Sequence, residues 1–103
     1  MNVTTDNGEY DGIQAYFCFE LCKAIRADLE EGGVEGEKLK ELVGKIGFSI
    51  ASILDGARAI DEKAGSPIIL YKARKDSEKV LTHESGSFLH EYVFGNIDEL
   101  FQD

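Results

Sequence analysis

Apolar residues recur with helical spacing most clearly in the middle of the chain, between Leu39 and Ala64. Intervals of three and four residues place side chains on one side of an α-helix, so the pattern predicts a helix of about seven turns. Gly65 and Pro67 follow, and both residue types are typical of a helix end. The apolar positions on this side are Leu39, Leu42, Val43, Ile46, Ile50, Ile53, Leu54, Ala57, Ile60 and Ala64.

A second helical pattern precedes this one and runs from Asp11 to the glycine pair Gly32 and Gly33. Asp11 is a suitable N-cap, and Gln14 three residues later gives a sequence that resembles a capping box. Because only a few residues separate the two helices, we expect them to pack antiparallel. The residues before this helix, 1–10, are expected to be a flexible segment. The apolar side of the helix contains Ile13, Phe17, Leu21, Ala24 and Ile25.

After Pro67 the pattern changes from helical to extended. Two short runs rich in strand-forming residues, IILYKA and KVLTHE, flank the polar bend RKDSE, which predicts a β-hairpin. Ser85 to Ser87 then break the strand and offer a helix cap, and apolar spacing from Phe88 to Phe101 predicts a final helix. The predicted fold is a single α+β domain over residues 1–103, with the element order α-α-β-β-α.

Composition and charge narrow the functional classes. The 103 residues carry a net charge of −9, which disfavours direct binding to nucleic acid because that binding depends on lysine and arginine neutralising phosphates. The longest charge-free stretch, Ile46 to Leu54, is far too short to span a bilayer, and the first residues lack the basic start and apolar run of a secretory signal. We therefore expect a cytoplasmic protein that does not bind membranes.

Acidic residues gather where they do not help the helices that carry them. Asp28, Glu30 and Glu31 lie at the end of the first predicted helix, and Asp98 and Glu99 at the end of the last. Negative charge is unfavourable there because the helix macrodipole is negative at its C-terminus. Either these acids serve solubility, or they bind a basic surface on another protein or on the hairpin of a second subunit.

Several aromatic residues point away from the main apolar stripe of their helices. On a helical wheel Phe48 lies opposite the stripe of the middle helix, and Phe19 lies far from that of the first. Phe94 and Phe101 lie at the edge of the last apolar sector. These four residues are the predicted interface of a homodimer, although a monomer with half-exposed aromatic side chains fits the same pattern.

The two histidines lie in the stretch THESGSFLHE, at His83 and His90. They are seven residues apart with a glycine-serine break between them, unlike the HExxH pattern that places two imidazoles on one helical face. Cys18 and Cys22 lie four residues apart on one predicted helix, a spacing that suits a disulfide poorly, so we expect free thiols. The sequence therefore predicts no catalytic residues, no metal site and no cofactor.

Two hypotheses of function remain open from the sequence. The first is a small acidic protein-interaction module, such as an inhibitor of the immunity or anti-restriction type, that covers the basic site of a partner protein. The second is a homodimeric protein, ligand-binding or enzymatic, with a pocket between its helices. The residues predicted to line that pocket are Tyr16, Cys22, Tyr71, His83, His90 and Tyr92.

Overall fold

The computed structural model describes residues 2–57 and 63–102 of the chain. It contains long helices, a small mixed sheet and a short C-terminal helix, which confirms the predicted α+β class. The elements are β1 (Asn2–Thr5), α1 (Asn7–Glu31), α2 (Gly36–Leu54), β2 (Tyr71–Lys72), β3 (Lys79–Thr82), a 3₁₀ turn (Leu89–Glu91) and α3 (Val93–Leu100).

Helix α1 begins five residues earlier than its sequence predicts. Asp6 is the N-cap, because its Oδ1 accepts a hydrogen bond from the Glu9 N–H at 3.1 Å. Asp11 instead lies inside the helix, where its Oδ1 accepts a hydrogen bond from the Gln14 side chain at 2.8 Å. The expectation of a flexible segment at residues 1–10 is therefore corrected for residues 2–10, which form a strand, a cap and the first turn of α1.

Helix α2 ends earlier than predicted because Gly56 adopts a left-handed conformation, with φ of 73°. The Gly56 N–H donates to the Ile53 carbonyl, and the Ala57 N–H donates to the Ser52 carbonyl. These two bonds form a Schellman motif, which closes a helix at a glycine. The predicted continuation towards Ala64 is thus wrong at Asp55–Ala57, and Ile60 lies outside the described residues.

The sheet has β3 at its centre, with β2 antiparallel on one side and β1 parallel on the other. The predicted hairpin is therefore confirmed, and β1 is an additional strand. Val3 lies opposite Val80 but is 66% exposed, so β1 is held mainly by backbone hydrogen bonds. One of these joins the Asn2 N–H to the Glu78 carbonyl at 3.0 Å.

Helices α1 and α2 pack antiparallel, and the 3₁₀ turn and α3 complete their core. Gly47 lies against α1, where a Cβ atom would be 3.2 Å from the Cys22 sulfur, so the missing side chain permits this close approach. The helical core contains Cys18, Cys22, Leu39, Val43, Ala51, Leu89, Val93 and Ile97. A smaller core beneath the sheet contains Tyr10, Ala73 and Leu81. None of the helices in the described residues has both the length and the apolar character needed to cross a membrane.

Candidate interaction surfaces

The two acidic clusters meet at one end of the molecule, although about seventy positions separate them along the chain. Arg26 joins the two helices that carry them, since its guanidinium donates to the Leu100 carbonyl at the end of α3. The same side chain lies 3.5 Å from the Glu30 carboxylate and 4.3 Å from the centre of the Phe101 ring. The C-terminal ends of α1 and α3 are therefore neighbours.

All of the predicted acids at this end are exposed to solvent. Glu30 is the one among them that forms an ion pair within the described residues. The start of α2 adds Glu35 and Glu37, which line a shallow cavity of about 580 Å³ together with Arg26 and Glu30. We call this surface the acidic end; its carboxylates are Asp28, Glu30, Glu31, Glu35, Glu37, Asp98 and Glu99.

An apolar groove lies beside the acidic end, between α2 and α3. The rings of Phe48 and Phe94 lie 5.7 Å apart and remain 38% and 60% exposed. Gly44 and Ile97 line the same depression, which has a volume of about 600 Å³. We call it the aromatic groove. Charged residues surround it, namely Glu37, Lys40, Glu41, Lys45 and Asp98.

The four phenylalanines predicted to form an oligomer interface do not lie on one surface. Phe48 and Phe94 form the exposed pair in the aromatic groove. Phe101 is half-buried beneath Arg26 and packs against the helical core. Phe19 is half-buried and lines a different depression with Tyr16, Asn96 and Glu99. The structure therefore brings two of the four residues together.

A buried carboxylate joins the end of α2 to the start of the 3₁₀ turn. The Asp55 side chain is 1% exposed and accepts four hydrogen bonds. Ser87 Oγ donates to it at 2.5 Å, and the N–H groups of Leu89 and His90 donate at 3.0 and 2.8 Å. The His90 ring lies with Nδ1 2.5 Å from the second carboxylate oxygen. Asp55 thus performs the capping role that the sequence assigned to Ser85–Ser87.

The electrostatics of Asp55 follow from these contacts. Burial acts to raise the pKa of its carboxyl group, because a charge is poorly solvated inside a protein. The hydrogen bonds from Ser87, His90 and Leu89 act in the opposite direction and prevail, so the pKa lies below its ordinary value. Asp55 is therefore a carboxylate at neutral pH.

His90 lies on a second depression, which has a volume of about 410 Å³ and is also lined by Phe48, Ser49, Ser52 and Ala57. Its ring packs edge-on against Phe48, with the ring centres 5.8 Å apart. Since Asp55 binds Nδ1, Nε2 is the nitrogen that remains for another interaction; within the described residues it has no hydrogen-bond partner. An imidazole oriented in this way can accept a hydrogen bond through Nε2.

The other predicted pocket residues are distributed over the molecule. Tyr71 and His83 both pack against the buried Tyr10 ring, with centre distances of 4.9 and 5.5 Å, and His83 Nε2 lies 3.3 Å from Asp11. Cys22 is buried in the helical core, Tyr92 packs against that core, and Tyr16 is 67% exposed. The two histidines therefore belong to separate clusters.

Both cysteines are free, as the sequence predicted, and both are buried. The Cys18 thiol donates to the Leu89 carbonyl at 3.4 Å. Its hydrogen bond with Cys22 and its burial raise the pKa of Cys18 well above its ordinary value, so it is a protonated core residue. Across residues 2–57 and 63–102, no group of three or more His, Cys, Asp or Glu residues could hold a metal ion.

The residues that sequence reasoning missed are those that act between elements. Asp55 had a recognisable signal, because an Asp-Gly pair after an apolar run is typical of a turn. Arg26 had none, since its contacts with Leu100 and Phe101 depend on the packing of α1 against α3.

Comparison with protein-family models, curated proteins and solved structures found no match to this chain, so its function is inferred from its own residues.

Proposed function

We propose that the chain is an acidic protein-interaction module that binds a basic protein, in the manner of an immunity-type or anti-restriction-type inhibitor. The observation that carries this proposal is the convergence of acids from α1 and α3 at one end, beside exposed aromatic side chains. Arg26 compensates few of the negative charges there. The C-terminal macrodipoles of α1 and α3 add to them, and the N-terminal macrodipole of α2 offsets part of this addition.

Such a surface suits a basic partner for physical reasons. Carboxylates crowded on one end repel one another, and a cationic surface removes that repulsion when it binds. Complementary charge also accelerates association, and this acceleration weakens as salt screens the charges. A cytoplasmic location and a one-to-one complex follow as parts of the same proposal.

The experiment compares two variants that lose the same number of charges. The test variant carries Glu30→Gln, Glu31→Gln and Glu99→Gln at the acidic end. The control carries Glu78→Gln, Glu84→Gln and Glu91→Gln, which are exposed elsewhere. Each protein is expressed in its own cells, isolated in mild salt and measured by native mass spectrometry. We expect the wild type and the control to carry one equivalent of a basic protein, and the test variant to lose it.

A basic partner that is retained equally by all three proteins, and that resists salt to the same degree, would contradict the proposal. The absence of any basic protein from the wild-type complex would do so as well. An intact fold in each variant is checked by circular dichroism, which keeps a loss of binding distinct from unfolding.

A second candidate function is a homodimeric protein that binds or transforms a small molecule. It is favoured by the Asp55–His90 pair, which orients an imidazole beside a depression. This function predicts a particle of twice the chain mass and a rise in melting temperature with a small ligand, lost in His90→Gln. A monomer that no member of a metabolite panel stabilises would contradict it.

A further inference from the structure

The aromatic groove is the central part of a longer channel along α2. It shares Glu37 and Lys40 with the cavity of the acidic end. It shares Phe48 and Ser49 with the depression at His90. The channel therefore follows α2 from Glu37 to Ser52, a length of about 22 Å at the rise of an α-helix.

The chemistry of this channel changes along its length. Carboxylates flank it at the acidic end, phenylalanine rings form its middle, and serine hydroxyls and an imidazole line the other end. Gly44 keeps the middle open, since it has no side chain between Phe94 and Ile97. An elongated apolar surface with polar ends matches the apolar face of an amphipathic helix, whose contacts recur every three or four residues.

Charge indicates which helix fits. A second copy of the chain also carries −9, so two copies repel each other, most strongly where their acidic ends approach. The rim itself carries three acids and two lysines, and it opens directly onto the acidic end. A helix with lysine or arginine beside its apolar face is attracted by both features.

We propose that the aromatic groove is the docking site for a basic amphipathic helix of the partner protein. The apolar face of that helix packs on Phe48 and Phe94, and its cationic residues bind Glu37, Glu41 and Asp98. This inference rests on the proposed function and adds the segment of the partner that is recognised.

The test uses synthetic peptides and the full chain. The first peptide is an amphipathic helix of about five turns with leucines on one face, lysines beside them and one tryptophan as a reporter. The second has the same apolar face with glutamates in place of lysines, and the third is the first in scrambled order. The chain has no tryptophan, so tryptophan emission comes from the peptide alone.

Two protein variants locate the binding site. Phe94→Ser removes the more exposed ring of the groove, and Tyr16→Ser removes a ring of similar exposure from another surface. We expect the basic peptide to bind wild type and Tyr16→Ser alike, and to bind Phe94→Ser about tenfold more weakly. Amide shifts in the NMR spectrum should concentrate at Gly44 and Gly95.

Three results would overturn the inference. The acidic or scrambled peptide could bind the wild type as tightly as the basic peptide does, or the basic peptide could bind Phe94→Ser as tightly as wild type. The third is a set of amide shifts centred on Tyr16. A wild-type dimer that Phe94→Ser converts to monomer would assign the groove to a second copy instead. If the native complex depends on the acidic end while Phe94→Ser leaves it intact, the proposed function survives and the groove assignment fails.

Discussion

The helical part of the molecule and its sheet are held together in different ways. In the helical part, eight of the described residues form a continuous buried core, and the buried Asp55 carboxylate joins two helical elements. Beneath the sheet, the described residues form a smaller buried core of Tyr10, Ala73 and Leu81, and the Tyr10 hydroxyl donates to the Ile69 carbonyl at 2.7 Å. Backbone hydrogen bonds between the strands supply much of the remaining stability of the sheet, because the side chains of β1 are mostly exposed.

The difference shows where single side chains matter. A charged group with four partners is costly to remove, since every partner loses its hydrogen bond at once. A neutral hydroxyl with one partner is cheaper to remove. We therefore expect the largest effects at the junction of α2 with the 3₁₀ turn, and smaller ones beneath the sheet.

The largest expected effect is that of Asp55→Ala. It leaves the Leu89 and His90 N–H groups, the Ser87 hydroxyl and the His90 ring without their acceptor. We expect a loss of about 3–5 kcal/mol in the free energy of unfolding, measured in urea at neutral pH. Glu91→Gln, an exposed substitution nearby, is the control and should change it by less than about 0.5 kcal/mol. Equal stability of the two variants would contradict the role assigned to Asp55.

The same junction should make stability depend on acid pH. The pKa of Asp55 is lower in the folded protein than in the unfolded chain. Its contribution to stability is therefore fully present above the unfolded value of about 3.9, and it is lost as pH falls from there through the lower folded value. We expect the difference in stability between wild type and Asp55→Ala to shrink in that range. A difference that stays constant down to pH values below the folded pKa would disprove this.

Two glycines of α2 sharpen the comparison within the helical part. A Cβ atom at Gly47 would lie 3.2 Å from the Cys22 sulfur, whereas one at Gly44 would be 3.8 Å from Phe94 and Ile97. Both alanine substitutions stabilise the helix by about 1 kcal/mol through helix propensity. A difference in stability between the two variants therefore reports how tightly each position is packed. We expect Gly47→Ala to be about 1–3 kcal/mol less stable than Gly44→Ala in thermal unfolding. The reverse order would show that this face of α2 is not tightly packed.

The smallest expected effects concern two hydroxyls beneath the sheet. Tyr10→Phe leaves the Ile69 carbonyl without its donor and should cost about 1 kcal/mol. The buried Tyr71 hydroxyl has no hydrogen-bond partner in the described residues, so Tyr71→Phe should be neutral or slightly stabilising. Urea unfolding of both variants measures the difference. A larger loss of stability in Tyr71→Phe than in Tyr10→Phe would contradict the hydrogen-bond roles given to these two hydroxyls.

Much of this architecture could be predicted from periodicity, but only where side chains carry the signal. Both long helices and the hairpin follow from the spacing of their apolar residues. Strand β1 has the sequence NVTT, without an alternating apolar pattern, and its partner Lys79–Thr82 is more than seventy residues away. Backbone pairing over that distance has no signature in the local sequence.

The end of α2 and the candidate surfaces were less accessible to prediction. Apolar spacing continues past Leu54 to Ala64, so periodicity outweighed the turn signal of Asp55 and Gly56. The sequence identifies the acids and the phenylalanines one by one, because the acids do not stabilise their own helix ends and the phenylalanines lie away from the apolar stripes of their helices. Their grouping into the acidic end and the aromatic groove depends on α1, α2 and α3 packing together, which no local pattern encodes.

The Asp55 junction also has a consequence for how long the native state lasts. Its bonds to Leu89 and His90 join residues 34 and 35 positions apart, and they close a loop that contains the whole hairpin. Closing a loop of this length costs about 3 kcal/mol of entropy, so we expect these bonds to form late in folding. Interactions absent from the transition state act on the unfolding rate. We therefore expect Asp55→Ala to speed the opening of the folded chain while leaving the speed of its folding almost unchanged.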